Sequence, residues 1–249
     1  MPTISVDLPS KGLLYAEDNP LSSGKIELKY MTAVEEDILT NDNYIKNGVV
    51  VEKLMQSMIT DKIDFNTLLI GDKDQIMVAC RILGFGKDYR IKYQGDNDKT
   101  NRSYTIDLTQ IKDKEINWEI IEKAKRRNEF EFVLPISKLP ITFKLLTHGD
   151  EKKIAQEIKG LAKNTNVEKN VSTRLKFMIT SVNGNREVAH IRDFVDNGLI
   201  TLDSKPLDKY ISTISPGLNF DVNAVADDNG EVLEGLSLPM TVEFFWPRP

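Results

Sequence analysis

The residues of this chain that could carry chemistry fall into a few small groups, and spacing decides what each can do. Gly84-Phe85-Gly86-Lys87 has the makings of a phosphate cradle, since close-set glycines let backbone N–H groups approach an anion and a lysine can answer its charge. The Walker spacing is absent and no Ser or Thr follows the lysine, so these glycines are expected to end a helix instead. Asp96, Asp98, Thr100 and Asp107 approximate a calcium loop, but Asn101 stands where the sharp-turn glycine belongs and the flanks read as strands. His148 and His190 are the only histidines, and neither has an acid or nucleophile at a spacing that makes a triad. Cys80 falls on an apolar helical face, the setting of an inert buried thiol. Glu35-Glu36 and Asp150-Glu151 have the composition of paired acid/base carboxylates, yet each pair sits where a helix begins, and the positive helix end explains them better. No residue is assigned a catalytic, cofactor-binding or metal-binding role, and the chain is expected not to be an enzyme.

The elements that must position these groups follow from periodicity. Thr3 to Leu8 and Lys25 to Met31 alternate as strands around an Asn19-Pro20 and Ser22-Ser23-Gly24 turn. Thr32 with Glu35 forms a capping box for a helix reaching about Lys46. A second helix carries Val49, Leu54, Met55, Met58 and Ile59, and a third is capped by Asp72, with Ile76, Ala79, Cys80 and Leu83 on one face. Asp88 to Tyr93 and Ser103 to Leu108 read as a strand pair. In the second half Glu129 to Leu134 and Ile141 to Leu146 are strands, and Thr147 with Asp150 opens a helix through about Leu161. Leu175 to Val182 fits either helix or strand, with helix preferred by analogy to the first half. Arg186 to Asp196 and Lys205 to Ile214 are helical. Leu218 to Val225 and Val232 to Leu238 flank an Asp227-Asp228-Asn229-Gly230 hairpin turn, and Thr241 to Trp246 reads as a last strand.

A repeat runs through these elements. Asp72, Gly86, Tyr89 and Ile91 in the first half correspond to Asp203, Gly217, Phe220 and Val222 in the second at one offset of 131 residues (203 − 72, for example). Val6-Asp7-Leu8-Pro9-Ser10-Lys11 is echoed by Phe132-Val133-Leu134-Pro135-Ile136-Ser137-Lys138, and Ile26 to Thr32 by Ile141 to Thr147. A period this long is too large for a solenoid and suits modules of domain size. The expected fold is α+β, two related modules from an internal duplication: residues 1–115, a connecting helix or linker at 116–128, and residues 129–249.

Composition narrows the partners. Hydrophobic residues at 40% and charged residues at 29% are ordinary for a globular protein among its 249 residues, and no apolar run approaches the roughly 20 residues that cross a bilayer. The start lacks a basic segment followed by an apolar one, and a single cysteine fits a reducing compartment. A net charge of −5 argues against nucleic acid as partner. The one dense basic run, Lys123-Ala124-Lys125-Arg126-Arg127, reads as the solvated face of the joining helix.

Several stretches together carry a resemblance. Leu8-Pro9-Ser10-Lys11-Gly12-Leu13-Leu14-Tyr15, Lys29-Tyr30-Met31-Thr32-Ala33 with Glu35-Glu36-Asp37-Ile38-Leu39-Thr40, and Leu69-Ile70-Gly71-Asp72 with Arg81-Ile82-Leu83-Gly84 and Tyr89 are similar to the baseplate hub assembly proteins of T-even-type contractile-tailed phages. The second half agrees through Leu145-Leu146-Thr147, Asp150-Glu151, Asn183-Gly184, Ser215-Pro216-Gly217 and Phe244-Phe245-Trp246-Pro247. The length resembles the family's larger type, the assembly catalyst. The resemblance implies a non-enzymatic factor for building the central hub of the tail baseplate, acting on baseplate hub proteins in the host cytoplasm, with no cofactor; the alternative is a structural hub component kept in the virion. Relatives carry Cys-x-x-Cys pairs in the hairpin turns, but this chain has Gln94-Gly95-Asp96-Asn97-Asp98 and Ala226-Asp227-Asp228-Asn229-Gly230 there, so a zinc knuckle is not expected. The candidate partner-binding residues are Phe244, Phe245 and Trp246. One reading has alternating members of this run, Val242 with Phe244 or Phe245, finish the second module's core. The other leaves at least one aromatic exposed to anchor a hub protein, and strand alternation, which sends Phe244 and Trp246 to one face and Phe245 to the other, makes the two compatible.

Overall fold

The computed structural model describes residues 2–93, 102–165, 170–238 and 242–245. In the first half β1 (Thr3–Asp7) and β2 (Lys25–Lys29) pair antiparallel, joined through a 3-10 turn at Pro20–Ser23 that Asn19 caps. Thr32 and Glu35 then form the expected capping box at the start of α1 (Ala33–Leu39). The helix does not continue to Lys46: the Asn41 side chain accepts from Asn43 N and Tyr44 N and starts a separate α2 (Asp42–Lys46). The amphipathic α3 (Val50–Met58) buries Val50, Leu54, Met55 and Met58. It is followed by α4 (Ile70–Phe85) and the antiparallel pair β3 (Asp88–Tyr93) and β4 (Arg102–Asp107). A short β5 (Lys112–Asp113) and the linking α5 (Trp118–Lys123) lead into the second half.

There β6 (Phe130–Val133), β7 (Pro140–Phe143) and β8 (Ile179–Val182) make one sheet, with α6 (His148–Thr165) and α7 (Asn170–Met178) between the last two strands. The ambiguous segment around Phe177 is thus both things: helix to Met178, then strand, and the helical preference holds only for its first part. A short α8 (Val188–Asp193) runs into a π-helical turn at Phe194–Gly198. The longer α9 (Thr201–Ile214) follows, in which Pro206 removes the N–H that Leu202's carbonyl would accept. The chain returns through β9 (Leu218–Asn219), β10 (Asp221–Ala226) and β11 (Val232–Ser237). The last described piece, Val242–Phe245, is a 3-10 helix rather than the expected strand.

The α+β class is as the sequence indicates, but the halves differ in plan: β1 and β2 pair alone, whereas in the second half β8 falls between helices and joins β6 and β7. The halves are also knit together. A four-stranded sheet runs β11-β10-β4-β3, with Thr105 opposite Val225 and Tyr104 opposite Ala226, so each half contributes a hairpin to one sheet. A second seam pairs Lys112 with Asn219. One buried apolar cluster contains Leu28, Met58 and Ile76 from the first half and Phe143, Leu207 and Ile214 from the second. The basic run contributes to this knitting through Arg126, which is only partly solvated: its backbone N donates to Leu13 O at 2.8 Å, and Nη1 reaches the carbonyls of Gly12, Tyr15 and Ser22 at 3.3–3.4 Å.

Candidate functional site

Several of the groups that spacing singles out for chemistry are engaged in holding the fold. Gly84 to Lys87 end α4, with Gly86 at φ 83° and Lys87 Nζ paired to Asp107 Oδ2 at 2.8 Å. Cys80 is fully buried, which pushes its thiol well above the usual range. Glu35 is buried too; desolvation opposes its charge, but Lys29 at 2.7 Å, Ser57 Oγ at 2.6 Å and Thr32 outweigh it and pull its carboxyl down to about 2. Asp150 repeats the arrangement, accepting from Lys144 Nζ at 2.7 Å and from Thr147 N at 3.1 Å. His190 is exposed, while His148 is buried edge-on against Phe65, with Nε2 3.2 Å from Glu52 Oε2. Burial holds this imidazole below its ordinary value although Glu52 draws it back. Of the four calcium-like positions only Asp107 lies within the described residues, and its side chain caps the turn at Leu108–Gln110. Among the described residues no three His, Cys, Asp or Glu side chains converge on a metal position, and no helix is long and apolar enough to cross a membrane.

Asp72 corrects the sequence reading. Its helix begins at Ile70 and that of its counterpart Asp203 at Thr201, so each acid occupies the third helical position, and Asp72 is not the cap. Their carboxylates reach sideways to the loop that follows the first strand of their own repeat. Asp72 accepts from Ser10 N at 2.9 Å, Ser10 Oγ at 2.6 Å and Tyr15 Oη at 2.6 Å. Asp203 accepts from Ile136 N at 2.7 Å and Ser137 N at 3.1 Å. Both loops turn on a lysine with positive φ, Lys11 at 51° and Lys138 at 58°. The echo of Pro9-Ser10-Lys11 in Pro135-Ile136-Ser137-Lys138 marks these loops, but only the fold shows which acid holds them.

Two of the three candidate anchors face inward. Phe244 and Phe245 are 0% exposed, and the 3-10 geometry, unlike a strand, buries both neighbours at once. Phe244 packs on Tyr89 with ring centroids 5.1 Å apart, and its carbonyl accepts from Arg81 Nε at 3.1 Å. Arg81, itself 1% exposed, lies over the Phe85 ring and ties the end of α4 to the far end of the chain. An arginine inside the apolar run Met77 to Leu83 was the signal for this clamp. Trp246 lies outside the described residues, as do the Gln94 to Asp98 turn and Asn101.

Another contact between the halves is a joint made by backbone. Residues 66–71, leading into α4, lie against residues 146–149 at the start of α6: His148 N donates to Leu68 O at 2.8 Å, Ile70 N to Leu146 O at 3.4 Å, and Leu69 bridges Thr147. Two glycines permit this approach. A Cβ on Gly71 would stand 1.9 Å from Pro216 O, and one on Gly149 would meet Asn66 at 3.0 Å. Ion pairs frame the contact, Lys73 with Glu151 and Lys152 with Glu52, both at 3.1 Å. The seam of the shared sheet opens on one side into a groove of about 750 Å³ lined by Thr105, Asp107, Lys112, Asn219 and Asp221 among others. It offers carboxylates, amides and the Lys112 ammonium for polar contact.

The comparisons with known proteins agree with the arrangement of motifs. No curated protein and no solved structure matches the chain. A family model described as "T4 bacteriophage base plate protein" matches residues 1–215, from β1 through α9. With both helix-tethering acids, both capping boxes and the backbone pairing of residues 68–70 with 146–148 inside that span, the chain belongs to the family of T4-type phage baseplate proteins.

Proposed function

We propose that this protein is a non-enzymatic assembly factor for the central hub of the contractile-tail baseplate, acting by binding hub proteins in the host cytoplasm. Family membership across residues 1–215 is the observation that carries the reading. The fate of the reactive side chains supports it: Glu35, Asp72, Asp150 and Asp203 are each bonded within the fold, and Cys80 is sealed in the core. A chain organised in this way works through its surfaces.

Quantitative mass spectrometry of purified virions against infected-cell lysate tests the assignment. The protein is expected in lysate and absent from virions. A fixed copy number in virions would make it a structural part of the hub instead. The C-terminal aromatics are tested beside it, through thermal stability and co-purification with hub proteins. Phe244→Ala and Phe245→Ala are each expected to cost about 3–5 kcal/mol, the usual range for emptying a buried phenylalanine site. Trp246→Ala is the discriminating variant: lost co-purification with an unchanged melting temperature would make Trp246 the anchor, and unchanged co-purification would move the binding surface elsewhere.

A further inference from the structure

The joint inside the chain has an unused counterpart on each outer face. Repeat-equivalent positions identify them. The receiving side of the joint, Asn66, Leu69 and Gly71, corresponds at the 131-residue offset to Asn197, Ile200 and Leu202 in the second half. The inserting side corresponds in two parts: Leu146, His148 and Gly149 to Met31, Ala33 and Val34 at the 115-residue offset of the Ile26–Ile141 echo (141 − 26), and Pro216 and Gly217 to Phe85 and Gly86 at 131 (217 − 86). Inside the chain these surfaces are covered: Leu69 is 5% exposed, Leu146 6% and His148 7%. Outside they are open, with Ile200 45% exposed, Val34 62% and Leu202 68%. The two parts of the inserting face meet at one point: the Met31 side chain lies against Gly84, two residues before Gly86, where a Cβ would meet nothing within 4 Å.

We infer that the receiving face of one molecule takes the inserting face of a second copy, so that the chain associates head to tail through a looser version of its own internal joint. Each face is the counterpart of a surface already mated to the other within the molecule, and that names the occupant. The looseness follows from two substitutions. Gly71 and Gly149, which let the backbones touch inside, are replaced outside by Leu202 and Val34. Leu202 cannot approach Phe85–Gly86 as Gly71 approaches Pro216–Gly217, because a Cβ at that spacing would overlap the carbonyl. Its side chain instead fills the open space over Gly86, and Val34 lies against Asn197. Apolar side chains stand in for backbone contact, giving a joint held by modest buried area and therefore reversible. An interface built from two different faces is heterologous, so it propagates until a ring closes or a cap intervenes. The inference does not depend on whether the protein is an assembly factor or a hub component.

The test uses the full chain in sedimentation-velocity and light-scattering concentration series. Wild type is expected to gain mass with concentration. Leu202→Asp blocks the receiving face and Val34→Asp the inserting face. Each places an acid in the first turn of a helix, where the positive end accommodates it, so folding is retained and a thermal melt confirms it. Each variant alone still carries one good face but finds no mate, and should stay monomeric. Mixed in equal amounts they should form a dimer that grows no further, because one intact face of each kind remains. A wild type monomeric across the series overturns the proposal, whatever other baseplate protein it then captures. So does an oligomer that survives both variants, or one that the mixture fails to restore as a dimer, which would mean a two-fold contact elsewhere.

Discussion

Asp72 and Asp203 stand at the same position of matching helices and hold matching loops, yet one is locked in by three donors on Ser10 and Tyr15 while the other accepts from two backbone N–H groups. Their ionisation diverges accordingly. Burial dominates at Asp72 and raises its carboxyl above the usual range despite its donors. At Asp203 the hydrogen bonds from Ile136 and Ser137 outweigh burial and lower it. The loop–helix tether is common to both repeats, and its surroundings differ with what covers the start of the helix: the other half of the chain for Asp72, open surface for Asp203. Residues that build the repeat keep their types, while residues at the contact change with it, as Gly71 and Leu202 do.

The largest expected effect tests that contrast directly. Gly71→Leu puts the outer-face residue into the inner joint against a backbone carbonyl that has nowhere to go. The loss should be about 3 kcal/mol, the upper end for overpacking, whereas Leu202→Gly should leave the denaturant midpoint nearly unchanged. Equal effects from the two changes would mean the joint is not spacing-limited. Next, Asp72→Ala strands Ser10 Oγ and the Tyr15 hydroxyl in the core and should cost roughly 2–3 kcal/mol. Asp203→Ala, whose loop can turn its N–H groups to water, should cost less, and the reverse order would undo the comparison.

Smaller effects appear on titration. Because Glu35 is held at about 2 in the fold, below its unfolded value, its contribution to stability is complete above the unfolded value and is lost as pH falls through about 2. Asp74 behaves oppositely. Burial first, then the charges of Glu151 and Asp72, raise it to about 6, so the stability linked to its protonated form is complete below its unfolded value and is lost as pH rises through about 6. Stability curves of Glu35→Gln and Asp74→Asn should therefore flatten on the acid limb and between about pH 4 and 6, respectively. The smallest effect expected is none at all: a chelator should leave the melting temperature where it is, and elemental analysis that finds stoichiometric zinc would contradict the reading of the hairpin turns.

Much of this was legible because it is local. Capping boxes at Thr32, hairpin turns at Asp227 to Gly230, and the repeat anchored on Asp72 and Asp203 depend on residues a few positions apart or on simple recurrence. What escaped is long-range. Nothing near Thr105 says that it will pair with Val225, and nothing near Asp72 says that its carboxylate will leave its own helix for Ser10. The closing aromatics were misplaced as a strand because Val242 to Phe245 alternate too briefly to fix a period; packing on Tyr89 and Arg81 decides their geometry. The capacity of Gly71 and Gly149 to admit a second backbone became visible only with that backbone in place.

The Arg81–Phe244 hydrogen bond spans 163 residues of sequence, and that span orders events during synthesis. When α4 emerges from the ribosome, its guanidinium and the Tyr89 ring have no lid, and the segment that closes over them is still untranslated. Closure of so distant a contact is slow and comes late. The first half therefore waits with an apolar slot open until Phe244 has been made. A nascent chain interrupted before Phe244 keeps that slot open and lacks the carbonyl that accepts from Arg81 Nε, a species exposed to chaperones and proteolysis.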